Sequence, residues 1–270
     1  MNKQMYKILS DMIEKETGIV YGENDYDRLK FRVDKLKELL QVNSDEELVR
    51  KFQNSPGSDL QSLLVSTSTN NETSFFRDRK PFEILTSFIL PEIFKTKTTR
   101  NIRLWCVATS TGQEPYSIAM KVKDDPEFKD VYFEIKASDI DNEVLAKAKS
   151  GVYLQPEIQR GLPIQYLTKY FNQKESTSWE VKTEVKALIH FFYFNLISGF
   201  YPTSEYDIVF CRNVLIYQSM DNKTKVINSI FDSLKPGGFL VLGGSENLIG
   251  IKSGFKMVQV GDLMIFQKPF

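Results

Sequence analysis

Residues 101–117, NIRLWCVATSTGQEPYS, decide how the rest of the chain is read. Leu104, Trp105 and Val107 make a short apolar strand, Thr109-Ser110-Thr111-Gly112 make a turn, and Pro115 sits where a first helical residue is preferred. A strand that breaks through small residues into a helix start gathers backbone N–H groups at one point. Such a point suits a ligand of the nucleotide kind.

The turn holds a single glycine and matches neither G-x-G-x-x-G nor G-x-x-x-x-G-K-[ST], so dinucleotide and P-loop pockets are poor fits. A loop that cradles no phosphate can manage with Ser, Thr and Ala, as in pockets for S-adenosylmethionine. An ordinary strand-to-helix turn fits the same residues, and this stretch alone leaves both readings open.

Composition narrows the classes. A chain of 270 residues with 41% hydrophobic content can bury a real core, in one large domain or a large one with a small partner. Lys+Arg and Asp+Glu balance at 35 each, so no overall field draws a polyanion and nucleic acid is not an expected partner. The sequence has no run of about 18 apolar residues, so direct membrane insertion is not expected. The opening MNKQMYKILSDMIEK is amphipathic with acids and bases mixed, unlike a secretory signal, and a cytoplasmic monomer is expected. Cys106 and Cys211 lie at the ends of strand patterns without a Cys-x-x-Cys pair and read as buried thiols. The one histidine, His190, lies in the apolar run LIHFFYF and reads as a strand residue, so no metal site is expected and Ser-His-Asp machinery lacks parts. The chemistry must come from carboxylates, Arg, Tyr and amides.

Residues 1–68 read as a helical domain. Met5, Ile8, Met12 and Ile13 have helical spacing that Gly18 ends, and Asp25 is placed to cap a second helix, YDRLKFRVDKLKELL. On that helix Leu29, Val33, Leu36 and Leu40 form one stripe and Arg28, Arg32 and Lys35 another. The basic stripe is either a solvated face or a docking surface for an acidic helix. Ser44 with Glu47 signals a capping box, and Pro56-Gly57 precedes a fourth helix over residues 59–66.

Residues 69–100 read as a linker and helix over a pocket: STSTNNETSFFRDRKPF is rich in hydroxyls and amides, then abruptly aromatic. From residue 101 to 270 strands and helices alternate, which argues a mostly parallel sheet covered on both faces. VYFEIKASDID is a second strand ending in Asp139, where such folds commonly seat a ribose, while Asp141 suits a helix cap. Residues 152–194 break the rhythm as an inserted β-subdomain, with a helix over 164–170. Its hairpin is expected from Trp179, Val181 and Thr183 against Val185, Ala187, Ile189 and Phe191. YDIVFCRNVLIY is the next strand, followed by a helix over 221–234. Lys235-Pro236-Gly237-Gly238 is a turn into FLVLGG, and a closing hairpin turns at Gly261-Asp262.

With these pieces in order, the chain resembles the CheR family of chemotaxis protein-glutamate O-methyltransferases over essentially its full length. The matching stretches are TNNETSFFRD, STGQEPYSIAM, ASDID, FNL, DIVFCRNVLIY and LKPGGFLVLGGSEN. The resemblance implies an α/β fold: a Rossmann-like class I methyltransferase sheet, a small N-terminal all-helical domain that docks on receptors, and an inserted antiparallel β-subdomain. It implies S-adenosyl-L-methionine as cofactor, S-adenosyl-L-homocysteine as product, and as substrate the glutamates in the cytoplasmic helical bundle of chemoreceptors.

Carried over position by position, it implies that Asn71, Thr73 and Arg77 close over the cofactor and that Glu114 holds its amino end. Asp139 would hold the ribose, with Asn195, Leu196, Arg212 and Asn213 beside the adenosyl group and Arg77 and Tyr217 at the reacting centre. Some members tether to a receptor tail through a glycine-containing loop of the β-subdomain. Here NQKESTSWE has no glycine, and that tether is expected to be absent. Docking then falls to Arg28, Arg32 and Lys35. Two rivals share the cofactor fold: a binding module without turnover, and a nucleic-acid methyltransferase. The second usually carries [DN]-P-P-[YF] where this chain has Cys211-Arg212-Asn213-Val214.

Overall fold

The structure, a computed structural model, describes residues 2–54 and 57–270. The turn expected at Pro56 lies outside the described residues.

Four helices open the chain: α1 (Lys3–Thr17), α2 (Tyr26–Leu40), α3 (Asp45–Asn54) and α4 (Ser58–Ser68). They share a core of their own in which Leu9, Ile13, Leu29, Val33, Leu36 and Leu48 are buried. Asn2 caps α1 by accepting from Met5 N–H, and Gly18 ends it at φ 74°. Ser44 Oγ accepts from Glu47 N–H, as expected of a capping residue. Asp25 does not cap α2; its carboxylate turns back to accept the Gly22 N–H at 2.8 Å.

α5 (Lys80–Ile84) and α6 (Leu90–Phe94) are joined by a π-helical turn and lead into the main sheet. Next come β1 (Asn101–Val107), α7 (Gln113–Asp124), β2 (Tyr132–Asp139) and α8 (Asn142–Ser150). Pro115 is the third residue of α7 rather than the first, still within the turn where no N–H is needed.

The inserted part is a three-stranded antiparallel sheet of β3 (Val152–Leu154), β4 (Phe171–Glu175) and β5 (Ser178–Val181) in the order β3-β5-β4. With it go α9 (Gln155–Gln159), α10 (Ile164–Tyr170) and α11 (Thr183–Lys186). The sequence-based hairpin is corrected here. Trp179 pairs with Gln173 and Tyr153, and residues 183–186 coil as α11, because Val181, Val185 and Leu188 repeat at four and three residues. NQKESTSWE is therefore the β4–β5 hairpin itself, not a loop before it. β6 (Ile189–Tyr193) leaves the insertion altogether and pairs with β2, so the β-subdomain stops short of residue 194.

β7 (Tyr206–Cys211), α12 (Met220–Ser233), β8 (Leu234–Leu242), β9 (Lys256–Val260) and β10 (Leu263–Gln267) complete the fold. Lys235-Pro236-Gly237-Gly238 is not a separate turn: it lies inside β8, where the register with β7 slips and Gly237 takes φ 77°. The seven-stranded order is β6-β2-β1-β7-β8-β10-β9, with β6, β2, β1, β7 and β8 parallel. β10 is antiparallel to both β8 and β9. β7 is buried at every position because both faces are covered: Phe210 joins one core and Val209 the other. This is the doubly wound α/β fold expected from the sequence. Among the described residues no helix is long and apolar enough to cross a membrane.

The helical unit is pinned to the sheet at the end of α1. Asn195 Nδ2 donates to Glu16 O at 2.9 Å and Gln218 Nε2 to Thr17 O at 3.3 Å, filling carbonyls that a helix end leaves open. Val20 N–H donates to Tyr217 O at 2.9 Å. Gly18 allows this approach: a Cβ there would stand 2.1 Å from Gln218 Oε1 and 2.6 Å from Ile197 Cγ1, on a backbone already at positive φ. Gly18→Ala is expected to cost about 1–3 kcal/mol, read as a lowered midpoint in chemical denaturation. An unchanged midpoint would show that this junction is loose.

Candidate functional site

One cleft opens at the carboxyl ends of β1, β2 and β7, where ligands of doubly wound sheets are seated. Its floor is the turn after β1. Thr109 N–H donates to Ser138 O at 2.9 Å and Ser110 N–H to Asp139 Oδ2 at 2.7 Å, locking that turn against the end of β2. Gly112, at φ 93°, admits Ala148 and the Tyr153 hydroxyl so closely that a Cβ would fall 2.9 Å from the first. Of the non-glycine residues with positive φ among the described residues, Ala108, Ser110 and Asn213 line the cleft, and Phe76, Asp78 and Arg79 stand on either side of Arg77. Such conformations cost about 1–3 kcal/mol each and gather where the surrounding structure enforces them.

The cleft wall brings together Asn71, Thr73, Arg77, Glu114, Asp139, Asn195, Leu196, Arg212, Asn213 and Tyr217, all ten singled out from sequence. Their hydrogen bonds separate them. Asp139, buried at the end of β2, accepts one backbone N–H on each oxygen, from Ser110 and from Asp141 at 3.0 Å. Burial pushes its carboxyl up to about 6 against the pull of those N–H groups, and further lone pairs remain open to the cleft. Asp141 caps α8 by accepting from Glu143 N–H, and its other oxygen accepts from Asn71 Nδ2 at 3.0 Å.

Arg212 is 5% exposed and donates to Glu114 Oε2 at 2.7 Å, Asp78 Oδ2 at 2.6 Å and Arg77 O at 3.0 Å. Glu114 is thereby paired already; burial raises its carboxyl and Arg212 opposes the rise. Arg77 donates from Nη1 to Glu72 O at 3.0 Å. The Tyr217 hydroxyl accepts from Asn70 Nδ2 at 2.8 Å, which leaves its own proton free to be donated. Asn195 spends its amide on Glu16 O and Ile197 N–H, so its side chain serves the junction with α1 as well as the cleft.

The comparisons with known proteins agree with this geometry. The family model described as CheR methyltransferase, SAM binding domain, matches residues 71–263. Chemotaxis protein methyltransferase Cher2 of Pseudomonas putida is 38% identical over 262 residues, covering 94% of each chain. Chemotaxis protein methyltransferase 1 of Pseudomonas aeruginosa is 36% identical over 97% of each. A Vibrio cholerae protein of the same name is 34% identical over 99% of this chain and 98% of its own. The chain belongs to the CheR methyltransferase family. Its cofactor is S-adenosylmethionine.

The cleft of this CheR methyltransferase suits that group. The Thr109 hydroxyl is buried in its wall without a hydrogen-bond partner among the described residues. A cofactor carrying an amine, a carboxylate and ribose hydroxyls offers such partners. Among the described residues no cluster of His, Cys, Asp and Glu is arranged to hold a metal ion.

Reading the sequence missed Asn70, Asp78, Gln218 and Glu246. Each acts through a partner far along the chain: Tyr217 for Asn70, Arg212 for Asp78, Thr17 for Gln218 and the turn after β7 for Glu246. Asn70, Asp78 and Glu246 do lie within the stretches TNNETSFFRD and LKPGGFLVLGGSEN that carry the family resemblance, which was the one available signal.

Asp139 makes a pH signature. A folded carboxyl raised from 3.8 to about 6 keeps its proton longer than the unfolded chain. Its stabilising contribution is complete below the unfolded value and is lost as pH rises through the folded one. Relative to Asp139→Asn, the cofactor-free protein is expected to lose on the order of 3 kcal/mol between about pH 4 and about pH 6.5. Urea unfolding across that range measures it, and parallel profiles for the two proteins would refute the raised carboxyl.

Proposed function

We propose that this protein transfers the methyl group of S-adenosyl-L-methionine to glutamate carboxylates of chemoreceptors, as a protein-glutamate O-methyltransferase of sensory adaptation. The observation that carries the reading is the cleft wall, lined both by Arg77, which keeps donors unspent, and by Tyr217, whose hydroxyl proton is free. The near full-length likeness to proteins named chemotaxis protein methyltransferases supports it.

The cofactor supplies an electrophilic methyl on a sulfonium sulfur. A glutamate is already ionised at neutral pH, so its oxygen attacks that carbon directly. The O–C bond forms as the S–C bond breaks, its electron pair passes to sulfur, and no general base is needed. What the chain contributes is position. The Arg77 guanidinium offers a planar fork to the incoming carboxylate, and Tyr217 fixes its second oxygen. Asp139 is offered to the ribose, the free oxygen of Glu114 to the cofactor's amine, and Leu196 and Asn213 border the adenosyl group. Arg212 works one step back, holding Glu114 and the Arg77 backbone in register.

Labelled cofactor incubated with receptor-bearing membranes should yield base-labile methyl esters; wild-type protein that makes none would remove the glutamate assignment. Arg77→Lys keeps the charge but loses the fork, so turnover should fall about tenfold or more, with cofactor affinity within about threefold. Near wild-type turnover would take Arg77 out of the mechanism.

The exposed face of α2 is the proposed receptor contact. Arg28 itself is engaged: it donates to Val20 O at 3.2 Å and its guanidinium sits 4.7 Å from the Tyr21 ring and 5.9 Å from that of Tyr217. Lys35 is exposed, as are Phe31 at 66% and Leu39 at 52%, so the face mixes cations with apolar groups, which a receptor helix could cover. Arg32 also bonds the Tyr21 side chain, and Arg32→Glu with Lys35→Glu changes neither Arg28 nor Tyr217 itself. It is expected to raise the KM for receptor several-fold, with the deficit narrowing as salt is added, because exposed pairs contribute only about 0.2–1 kcal/mol each and are screened. Unchanged receptor KM in steady-state kinetics would place docking elsewhere.

A further inference from the structure

The turn that carries Asn213 and Tyr217 out of β7 is held by one carboxylate from beyond β8. Glu246 Oε1 accepts from Val214 N–H at 3.0 Å, Leu215 N–H at 2.8 Å and Ile216 N–H at 3.3 Å. Its Oε2 accepts from Asn213 N–H at 2.7 Å and Gly243 N–H at 2.9 Å. The Val214, Leu215 and Ile216 N–H groups are those that a 3-10 turn over Leu215–Tyr217 leaves unpaired at its start, and a charged acceptor satisfies them more strongly than water does. Asn213 takes φ 59°, a conformation that needs such a restraint. Gly243 gives the carboxylate room: a Cβ there would lie 2.8 Å from Glu246 Oε2 and 3.0 Å from Asn213 N.

We propose that Glu246 is a positioning residue for methyl transfer, acting through the backbone of residues 213–216 to fix the Tyr217 hydroxyl at the reacting centre. This rests on the role given to Tyr217 above. All five partners are donors, so an amide in place of the carboxylate must turn an NH2 group toward one set of N–H groups. Glu246→Gln is therefore not a silent change, although its shape is nearly the same.

Two variants test it. Glu246→Gln removes the second acceptor, and Gly243→Ala crowds the carboxylate without touching its charge. In either, at a temperature where circular dichroism shows the native fold, kcat should fall about tenfold or more while the KM for cofactor changes by less than about threefold. In a Tyr217→Phe background the further loss from Glu246→Gln should be under about twofold, because the group being positioned is already gone. Independently of turnover, amide hydrogen exchange at residues 214–216 should speed up about tenfold or more in Glu246→Gln.

An unchanged kcat in both variants, full additivity with Tyr217→Phe, or unchanged exchange would overturn the proposal. Absence of methyl transfer by the wild type would overturn the reading of the site instead, and the exchange rates would still decide whether Glu246 holds the turn.

Discussion

A guanidinium taken out of water needs acceptors, and Arg212 obtains three of them from two separate parts of the chain. Glu114 comes from the start of α7, and Asp78 and the Arg77 carbonyl from the segment before α5. Removing one partner of a buried pair strands the other charge, at a cost of about 3–5 kcal/mol. The linker is therefore not free to drift off the sheet, and the side chain it carries to the cleft mouth, Arg77, has its backbone fixed by the same cation. Phe75 and Phe76 complete the anchorage, the first edge-on to Tyr153 and Phe171 and the second stacked on Tyr166. The linker is thus wedged between the main sheet and the inserted sheet.

The same economy governs the rest of the cleft. Acceptors that a ligand needs are buried, and burial alone would neutralise or displace them. On Asp139 the chain solves this with two backbone N–H groups, which carry no counter-charge that could compete with a ligand. A lysine there would have formed a closed ion pair. Asp139 consequently stays available at neutral pH although burial lifts its carboxyl to about 6.

The sequence made the frame legible where one physical signal dominated. β7 is buried throughout and apolar from Ile208 to Cys211 because both its faces are covered, and the β1–turn–α7 unit shows itself through small residues at a strand end. Two signals in conflict produced the error in the insertion: alternation over residues 179–191 competes with the helical spacing of Val181, Val185 and Leu188, and only pairing across space decides that Ile189–Tyr193 joins β2. Side chains gathered at the cleft were reached through family motifs rather than periodicity. Pairings such as Asn70 with Tyr217 leave no periodic trace, since the partners are separated by 147 positions.

Substrate capture and chemistry are not mechanically independent in this arrangement. Tyr217 accepts Val20 N–H on its carbonyl, Gln218 forms a bridge with Ile19, and Arg28 of α2 lies between the rings of Tyr21 and Tyr217. The first turns of the proposed docking helix and the hydroxyl proposed to meet the substrate therefore share one hydrogen-bonded edge. A rotation of the helical unit large enough to break that edge would also withdraw the tyrosine, whereas Asp139 and the turn after β1 are held by bonds within the main sheet and its connections. The Asp139 side of the cleft is thus independent of the helical unit, whereas its Asn195 and Gln218 side, which bonds the end of α1, and the proposed seat for the methyl acceptor are not.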